Sequence, residues 1–273
     1  RILVFPVEKA MKIVNNFLRK ARKSPWVVGQ KLTNRPANPQ AVISDLFVWR
    51  YSQDWSTYFE LLDIASLFGD DEQHQIDIVF FNEVGSEFYR QSIELDGLCR
   101  QTLNVTNILS TLDKLPSDYG TFAVFHQQTP SGVSENGSFI AERSYVSYQY
   151  KGLPLRSYVH GNLDAIDDML TPLGGSSFFN RQYNLQYLLE PNKSYEVALV
   201  NASPSNKKVM FEVVSFGGKT QIKKNIILNP MQTFVLPITN LPSHSQLIID
   251  SKMIMARPIV FCYNKDRLNV FHG

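Results

Sequence analysis

The sequence contains one β-rich pattern twice, at a constant spacing along the chain. Residues 76–103 align without a gap with residues 209–236, and the alignment places Gly85 on Gly218 (218 − 85 = 133). Apolar residues alternate with polar ones in both segments, which is typical of strands with one buried face, because successive side chains point to opposite sides of a sheet. A repeated unit of this kind restricts the chain to an architecture with two similar β-structures.

Further blocks match in the same order on both sides of this alignment. With the first copy given before the second, they are residues 59–63 with 197–201, 140–146 with 254–260, and the His-Gly pairs at 160–161 and 272–273. Unrelated hairpins would share alternation but not four blocks in one order. The sequence therefore predicts an internal duplication.

Short strand patterns separated by turn residues predict an all-β protein of two tandem antiparallel β-sandwiches, with either immunoglobulin-like or jelly-roll topology. The length of 273 residues suits two such units. The predicted segments are an N-terminal basic helix with an extended linker (1–40), the first sandwich (41–162), a connecting helix with a linker (163–175) and the second sandwich (176–273).

Two short helices are predicted beside the strands. Residues 11–24 form a basic amphipathic pattern, whose apolar stripe either packs on the first sandwich or contacts a membrane surface or a partner. Residues 163–170 are predicted to form the connecting helix, with Asn162 as its N-cap and Asp164 in its first turn. Residues 1–10 precede Met11 and are interpreted as a leader before the natural start.

Composition excludes several classes of function. Lys plus Arg number 27 and Asp plus Glu 25, and this net charge of +2 gives no nucleic-acid signature. Apolar runs fall short of the roughly 20 residues that a transmembrane helix needs. Cys99 and Cys262 lie at non-equivalent positions of the two copies, which favours a reducing compartment and predicts a cytoplasmic protein. The oligomeric state is left open.

Motifs for catalysis, cofactors or metals are not found in the sequence, so no cofactor and no metal site are predicted. Equivalent histidines end the two copies, His160 and His272, and a structural hydrogen bond in each copy accounts for both. The alternative is a sugar-modifying enzyme with His126, His160 and Arg143 in a polar site at the end of the first sandwich, because histidine transfers protons near neutral pH.

Aromatic and basic residues concentrate in the first copy. Amphipathic rings can pack on sugar faces while arginine binds hydroxyl or acidic groups, so a saccharide is the first ligand predicted, with a protein partner as the other. The favoured function is therefore non-catalytic binding, although Trp49 and Tyr145 also fit a core role. The predicted binding residues are Trp49, Arg143, Tyr145, Tyr148, Arg156, Tyr158, His160 and Asn162.

Overall fold

The all-β prediction is confirmed by the computed structural model, which describes residues 33–38, 41–63, 74–95, 97, 100–127, 141–254, 257–264 and 267–273. The strands in these residues are β1 (Ile43–Arg50), β2 (Trp55–Leu62), β3 (Gln75–Phe81), β4 (Glu87–Glu94), β5 (Arg100–Asn104), β6 (Tyr119–His126), β7 (Ala141–Glu142), β8 (Tyr145–Tyr150), β9 (Ser157–His160), β10 (Asn162–Asp167), β11 (Ser176–Asn184), β12 (Ser194–Val200), β13 (Lys207–Ser215), β14 (Thr220–Leu228), β15 (Thr233–Ile238), β16 (Ser245–Met253), β17 (Ile259–Tyr263) and β18 (Leu268–His272). The short helix α1 (Val105–Ser110) follows β5.

The strands form four sheets, two in each half of the chain. Sheet A has the order β10-β1-β6-β3-β4, with β7 paired to β1, and sheet B has the order β5-β2-β8-β9. Sheet C has the order β11-β16-β13-β14, and sheet D has the order β15-β12-β17-β18. The first two strands of each half lie in different sheets, whereas those of an immunoglobulin domain share one. The second half consists of two four-stranded sheets, and in the first half β7 and β10 extend sheet A to six strands.

Equivalent strands of the two halves pair in the same register. Ile76 pairs with Ile93 between β3 and β4, and Val209 pairs with Ile226 between β13 and β14, so both members shift by 133 residues (209 − 76 = 133; 226 − 93 = 133). Both hairpins also contain a register irregularity at the equivalent position. The spacing seen in the sequence thus corresponds to one pairing pattern that occurs in both halves.

Sheet D is buried on both faces and joins the two halves. Its residues Val197 and Val260 belong to the core of the second half, whereas Ala198 and Phe261 belong to the core of the first half. This follows from the alternation of side chains along β12 and β17. Residues Leu32–Gly273 accordingly form one compact unit.

Aromatic rings and one ion pair lie where the halves meet. The ring of Phe261 in β17 is 5.3 Å from that of Trp55 and 4.9 Å from that of Tyr148. Arg50 of β1 forms an ion pair with Glu196 of β12. Aromatic pairs of this geometry stabilise a core beyond their buried area, by about 0.5–1.5 kcal/mol each.

The predicted connecting helix is wrong, because its residues continue a sheet. Asn162 begins strand β10, which pairs with β1 in register Ile43 to Asp167. The N-cap pattern of Asn162 and Asp164 is a local signal, and the ladder to β1 outweighs it. A β-bulge in this ladder places Asp164 in the left-handed region, with φ +43.

Helix α1 begins directly after β5 ends. Asn104 is its N-cap, and the side-chain oxygen of Asn104 accepts a hydrogen bond from the backbone N–H of Asn107 at 3.0 Å. Val105 and Leu109 are the buried residues of the helix. This cap marks the end of strand β5 and the start of the helix.

The predicted leader at residues 1–10, the basic helix at residues 11–24 and Cys99 lie outside the described residues. Cys262 carries a buried free thiol. None of the helices in the described parts of the chain has both the length and the apolar character that crossing a bilayer requires.

Candidate functional site

The outer face of sheet B presents aromatic and charged side chains to solvent. In β2, Phe59 and Leu61 point into the core, so Glu60 and Leu62 point outward. Because β5 and β8 flank β2, strand pairing places Thr102 on one side of Glu60 and Tyr145 on the other. A row of outward side chains therefore crosses the sheet at Glu60.

Glu60 is the most enclosed charge on this face, with a side chain that is 6% exposed. Its Oε2 accepts hydrogen bonds from Arg100 Nη2 at 3.1 Å and from Thr102 Oγ1 at 2.8 Å. Arg156 Nη1 lies 3.8 Å from its Oε1, and the Arg156 guanidinium covers the ring of Tyr58 at 3.6 Å. Glu60 thereby holds two arginines in place on the sheet.

Tyr145 and His160 form an aromatic pair beside Glu60. They are cross-strand neighbours between β8 and β9, and their ring centroids are 3.9 Å apart. His160 Nδ1 lies 3.4 Å from the carbonyl oxygen of Arg143. Tyr145 is 46% exposed and Tyr158 is 48% exposed, so both rings offer surface to a ligand.

Arg143 stands at the rim of this face, where Asp164 holds it. Its Nη2 donates to both carboxylate oxygens of Asp164, at 2.6 and 2.7 Å, and its Nε donates to one of them at 3.0 Å. Such a bidentate pair fixes the direction of the guanidinium. The unusual backbone of Asp164 in the β-bulge sets the position of this clamp.

These side chains line an open pocket of about 440 Å³. Its lining residues are Glu60, Leu62, Arg100, Arg143, Ser144, Tyr145 and Tyr158. The volume lies in the usual range for small-ligand pockets, and the mixture of rings with a few convergent polar groups is typical of them. Arg143, Tyr145 and Tyr158 are the predicted binding residues that the structure brings together here. We call this surface the sheet B pocket.

A larger depression of about 550 Å³ lies on the outer face of sheet C. Its lining residues are Asn180, Lys208, Val209, Met210, Asn225, Ile226, Ile227 and Asp250. It has no aromatic ring among these residues. The sheet B pocket is therefore the stronger candidate for ligand binding.

Two predicted binding residues lie in the core instead. Trp49 is fully buried, and its Nε1 donates to the carbonyl oxygen of Phe81 at 3.0 Å. Tyr148 is also fully buried, and its hydroxyl donates to the carbonyl oxygen of Val48 at 2.7 Å. Burial raises the pKa of Tyr148. Neither ring can reach a ligand at the surface, because alternation along β1 and β8 turns both inward.

Other predicted residues are placed around the pocket or away from it. Arg156 contacts Glu60 next to the lining residues, and His160 contacts the pocket ring of Tyr145. Asn162 lines a different cavity at the junction of the halves, of about 40 Å³.

The residues of the predicted enzyme site separate in the structure. His126 is 3% exposed, and its Nε2 lies 2.7 Å from Oε2 of the buried Glu142. Glu142 Oε1 also accepts the backbone N–H of Ser144 at 2.9 Å. His126 is thus enclosed beneath the segment that carries Arg143, whereas His160 lies on the outer face of sheet B. In the second half, burial lowers the pKa of His272 to about 4.

A buried carboxylate, Asp45, lies near the same segment. Its Oδ1 accepts the backbone N–H of Asp164 at 2.8 Å. Burial is the main cause that raises the pKa of Asp45 to about 7, and the nearby charges of Asp164 and Glu142 add to it. The described residues contain no cluster of three or more His, Cys, Asp or Glu side chains that could hold a metal ion.

Sequence reasoning missed Glu60, Arg100 and Asp45. The outward position of Glu60 follows from the alternation of β2, which the sequence shows. Its contact with Arg100 depends on the pairing of β2 with β5, across residues that are far apart in the chain. Pairing partners of this kind are not readable from a single strand.

Comparisons with known proteins place the chain in no family. No protein-family model matches it, and no curated protein matches it. Among solved structures, a calcium-binding mutant of Bacteroides uniformis beta-glucuronidase 2 is 12% identical, with a TM-score of 0.18 over 90% of this chain and 28% of that chain. Bacteroides uniformis beta-glucuronidase is 11% identical, with a TM-score of 0.15 over 84% of this chain and 25% of that chain.

A beta-glucuronidase from glycoside hydrolase family 2 is 8% identical, with a TM-score of 0.15 over 84% of this chain and 23% of that chain. The chain thus spans about a quarter of the length of these enzymes. TM-scores this low assign no activity. What the fold and the pocket define is an all-β protein of paired sheets with a ring-lined, arginine-bearing outer face.

Proposed function

We propose that this protein binds a saccharide in the sheet B pocket and acts as a non-catalytic binding protein. The observation that carries the proposal is the exposure of Tyr145 and Tyr158 in one open pocket that Arg100 and Arg143 also line. Rings of this kind can pack on the face of a pyranose, and the arginines supply hydrogen-bond donors for its oxygens.

The equivalent surface in the second half gives further support. Ala198 occupies in sheet D the place of Glu60, with Val235 and Ile259 as its cross-strand neighbours. Around Ala198 that face is apolar and packs on the first half, and Glu196 on the same face pairs with Arg50. Sheet B carries tyrosine, arginine and glutamate where sheet D carries apolar residues, which fits a surface that meets a polar ligand.

We also propose that the two halves arose by internal duplication, with the predicted boundaries at residues 41–162 and 176–273. Two observations support this proposal: β1-β6-β3-β4 and β5-β2-β8-β9 have the same order as β11-β16-β13-β14 and β15-β12-β17-β18, with β7 and β10 as additional strands of the first half, and the β3–β4 and β13–β14 hairpins share a register. Divergence after duplication would leave one copy of the outer face free to bind a ligand while the other became buried.

The proposal is tested by screening the protein on a glycan array and titrating the best saccharide by calorimetry. Replacement Tyr145→Ala removes a half-exposed ring, so we expect the affinity to fall roughly tenfold, which corresponds to about 1.4 kcal/mol. Thermal unfolding of the variant checks that the fold is kept.

The matched control is Phe216→Ala, which removes a ring that is 74% exposed in the second half. We expect this variant to bind as the unmodified protein does. The proposal fails if no saccharide binds, or if the Tyr145 and Phe216 variants bind equally well.

A further inference from the structure

We infer that the ligand of the sheet B pocket is an acidic saccharide whose carboxylate is bound by Arg100 and Arg143. This inference rests on the proposed saccharide-binding function and names the ligand class. It is carried by the number, exposure and remaining hydrogen-bond donors of the arginines around the pocket.

The only carboxylate that lines the pocket, in the part of the chain that the structure describes, is already neutralised. Glu60 has a 6% exposed side chain, and its oxygens face Arg100, Thr102 and Arg156. It therefore has little capacity to accept sugar hydroxyls, and its charge is balanced before any ligand arrives. A carboxylate entering the pocket meets a surface that is not acidic.

The two lining arginines keep donors that their protein partners do not use. Arg100 has a 67% exposed side chain and contacts Glu60 through Nη2. Arg143 has a 53% exposed side chain and contacts Asp164 through Nε and Nη2, which leaves its Nη1. A guanidinium is suited to a carboxylate, because its planar donors match the two oxygens.

The fixed positions of the two arginine side chains support this assignment as much as their charge does. Glu60 holds Arg100 and Asp164 holds Arg143, so neither side chain must be ordered when the ligand binds. Ordering an exposed, rotamer-rich side chain costs about 0.5–1.5 kcal/mol. Tyr145 and Tyr158, which line the same pocket, offer ring faces to the rest of the sugar.

The test is a titration with a panel of uronic-acid oligosaccharides, built from glucuronic, galacturonic, mannuronic and guluronic acid. Each is paired with its own methyl ester, which has the same sugar without the charge. We expect at least one acid to bind about tenfold more tightly than its ester. The difference should narrow at high salt, because exposed charges are screened.

Variants of the arginines identify the groups responsible. Arg100→Gln should lower the affinity for the acid about tenfold while leaving the affinity for the ester within about twofold. Arg100→Lys should restore part of the loss, since it keeps the charge. Arg90→Gln is the matched control, because Arg90 is a partly exposed, ion-paired arginine on β4 of sheet A.

Each outcome supports or overturns the inference. Equal binding of every acid and its ester would overturn it and leave the saccharide-binding function standing. Equal binding of a sulfated oligosaccharide that lacks carboxylates would overturn the choice of carboxylate. If neither acids, esters nor any neutral saccharide on the array bind, the proposed function itself fails.

Discussion

At the scale of single residues, Asp45 links the interior of sheet A to the rim of the pocket. Its carboxylate accepts the backbone N–H of Asp164, and the side chain of Asp164 clamps Arg143. Burial disfavours the charged form of Asp45 and raises its pKa to about 7. The fold thus holds a carboxyl group that is neutral under mildly acidic conditions directly behind a binding-site arginine.

This arrangement predicts that the free energy of unfolding falls as the pH rises from about 4 to about 7. Across that window the unfolded chain has an ionised Asp45 and the folded protein keeps it protonated, so the folded state binds more protons and loses stability with rising pH. The loss is at most about 4 kcal/mol.

The measurement is urea unfolding of the protein and of Asp45→Asn at pH values on both sides of the window. Asparagine keeps the acceptor oxygen and does not titrate, so this variant should lose less stability between the two pH values. Asp54→Asn, at an exposed carboxylate, should keep the full slope. Equal slopes for the protein and Asp45→Asn would contradict the prediction.

At the scale of elements, the two equivalent hairpin turns differ in what surrounds them. Gly85 has φ +86 and Gly218 has φ +76, so both need a conformation that side chains disfavour. A methyl group on Gly85 would lie 2.7 Å from the backbone carbonyl carbon of Met231, whereas nothing lies within 4 Å of the equivalent position at Gly218. The β3–β4 turn is packed against the loop before β15, and the β13–β14 turn is open.

The turns therefore form a matched pair of variants. Gly218→Ala should cost about 1–2 kcal/mol of unfolding free energy, because only the backbone is strained. Gly85→Ala should cost a further 1–3 kcal/mol or so, because the methyl group also displaces the Met231 segment. Urea unfolding of both variants checks this, and equal losses would show that the contact between the turn and the second half carries no energy.

How far the sequence predicts these elements depends on the range of the interactions that form them. Strand alternation is local, so the strands on both sides of Gly85 and Gly218 can be predicted from the sequence. Residues 163–170 are not predicted correctly, because the pairing of β10 with β1 joins residues more than 100 positions apart and overrides a helix-cap signal. Prediction of the sheet B pocket is limited in the same way. Its tyrosines could be chosen as candidates because aromatic residues concentrate in the first copy, whereas the contact of Glu60 with Arg100 depends on the pairing of β2 with β5.

At the scale of the whole molecule, the halves are joined through sheet D. Phe211 and Val197 face the core of the second half, while Phe261 reaches the core of the first half. Because sheet D packs against both halves, unfolding of either half would expose apolar surface that is buried in the folded protein. The molecule should therefore unfold as one cooperative unit, although the sequence predicts two sandwiches.

Replacement Phe211→Ala tests this cooperativity, because Phe211 is fully buried in the second half. The cavity that this variant leaves should lower the free energy of unfolding by about 3–5 kcal/mol.

Two spectroscopic signals then follow the unfolding. All three tryptophans lie at residues 26, 49 and 55, so their fluorescence reports the N-terminal part of the chain, whereas far-ultraviolet circular dichroism reports all sheets. If sheet D couples the halves, both signals move together to a lower urea midpoint, and the exposed control Phe216→Ala moves neither. A dichroism curve that splits in two, with the larger fluorescence change at an unshifted midpoint, would mean that each sandwich unfolds alone; Trp55, which contacts Phe261, would then report a smaller change with the second half.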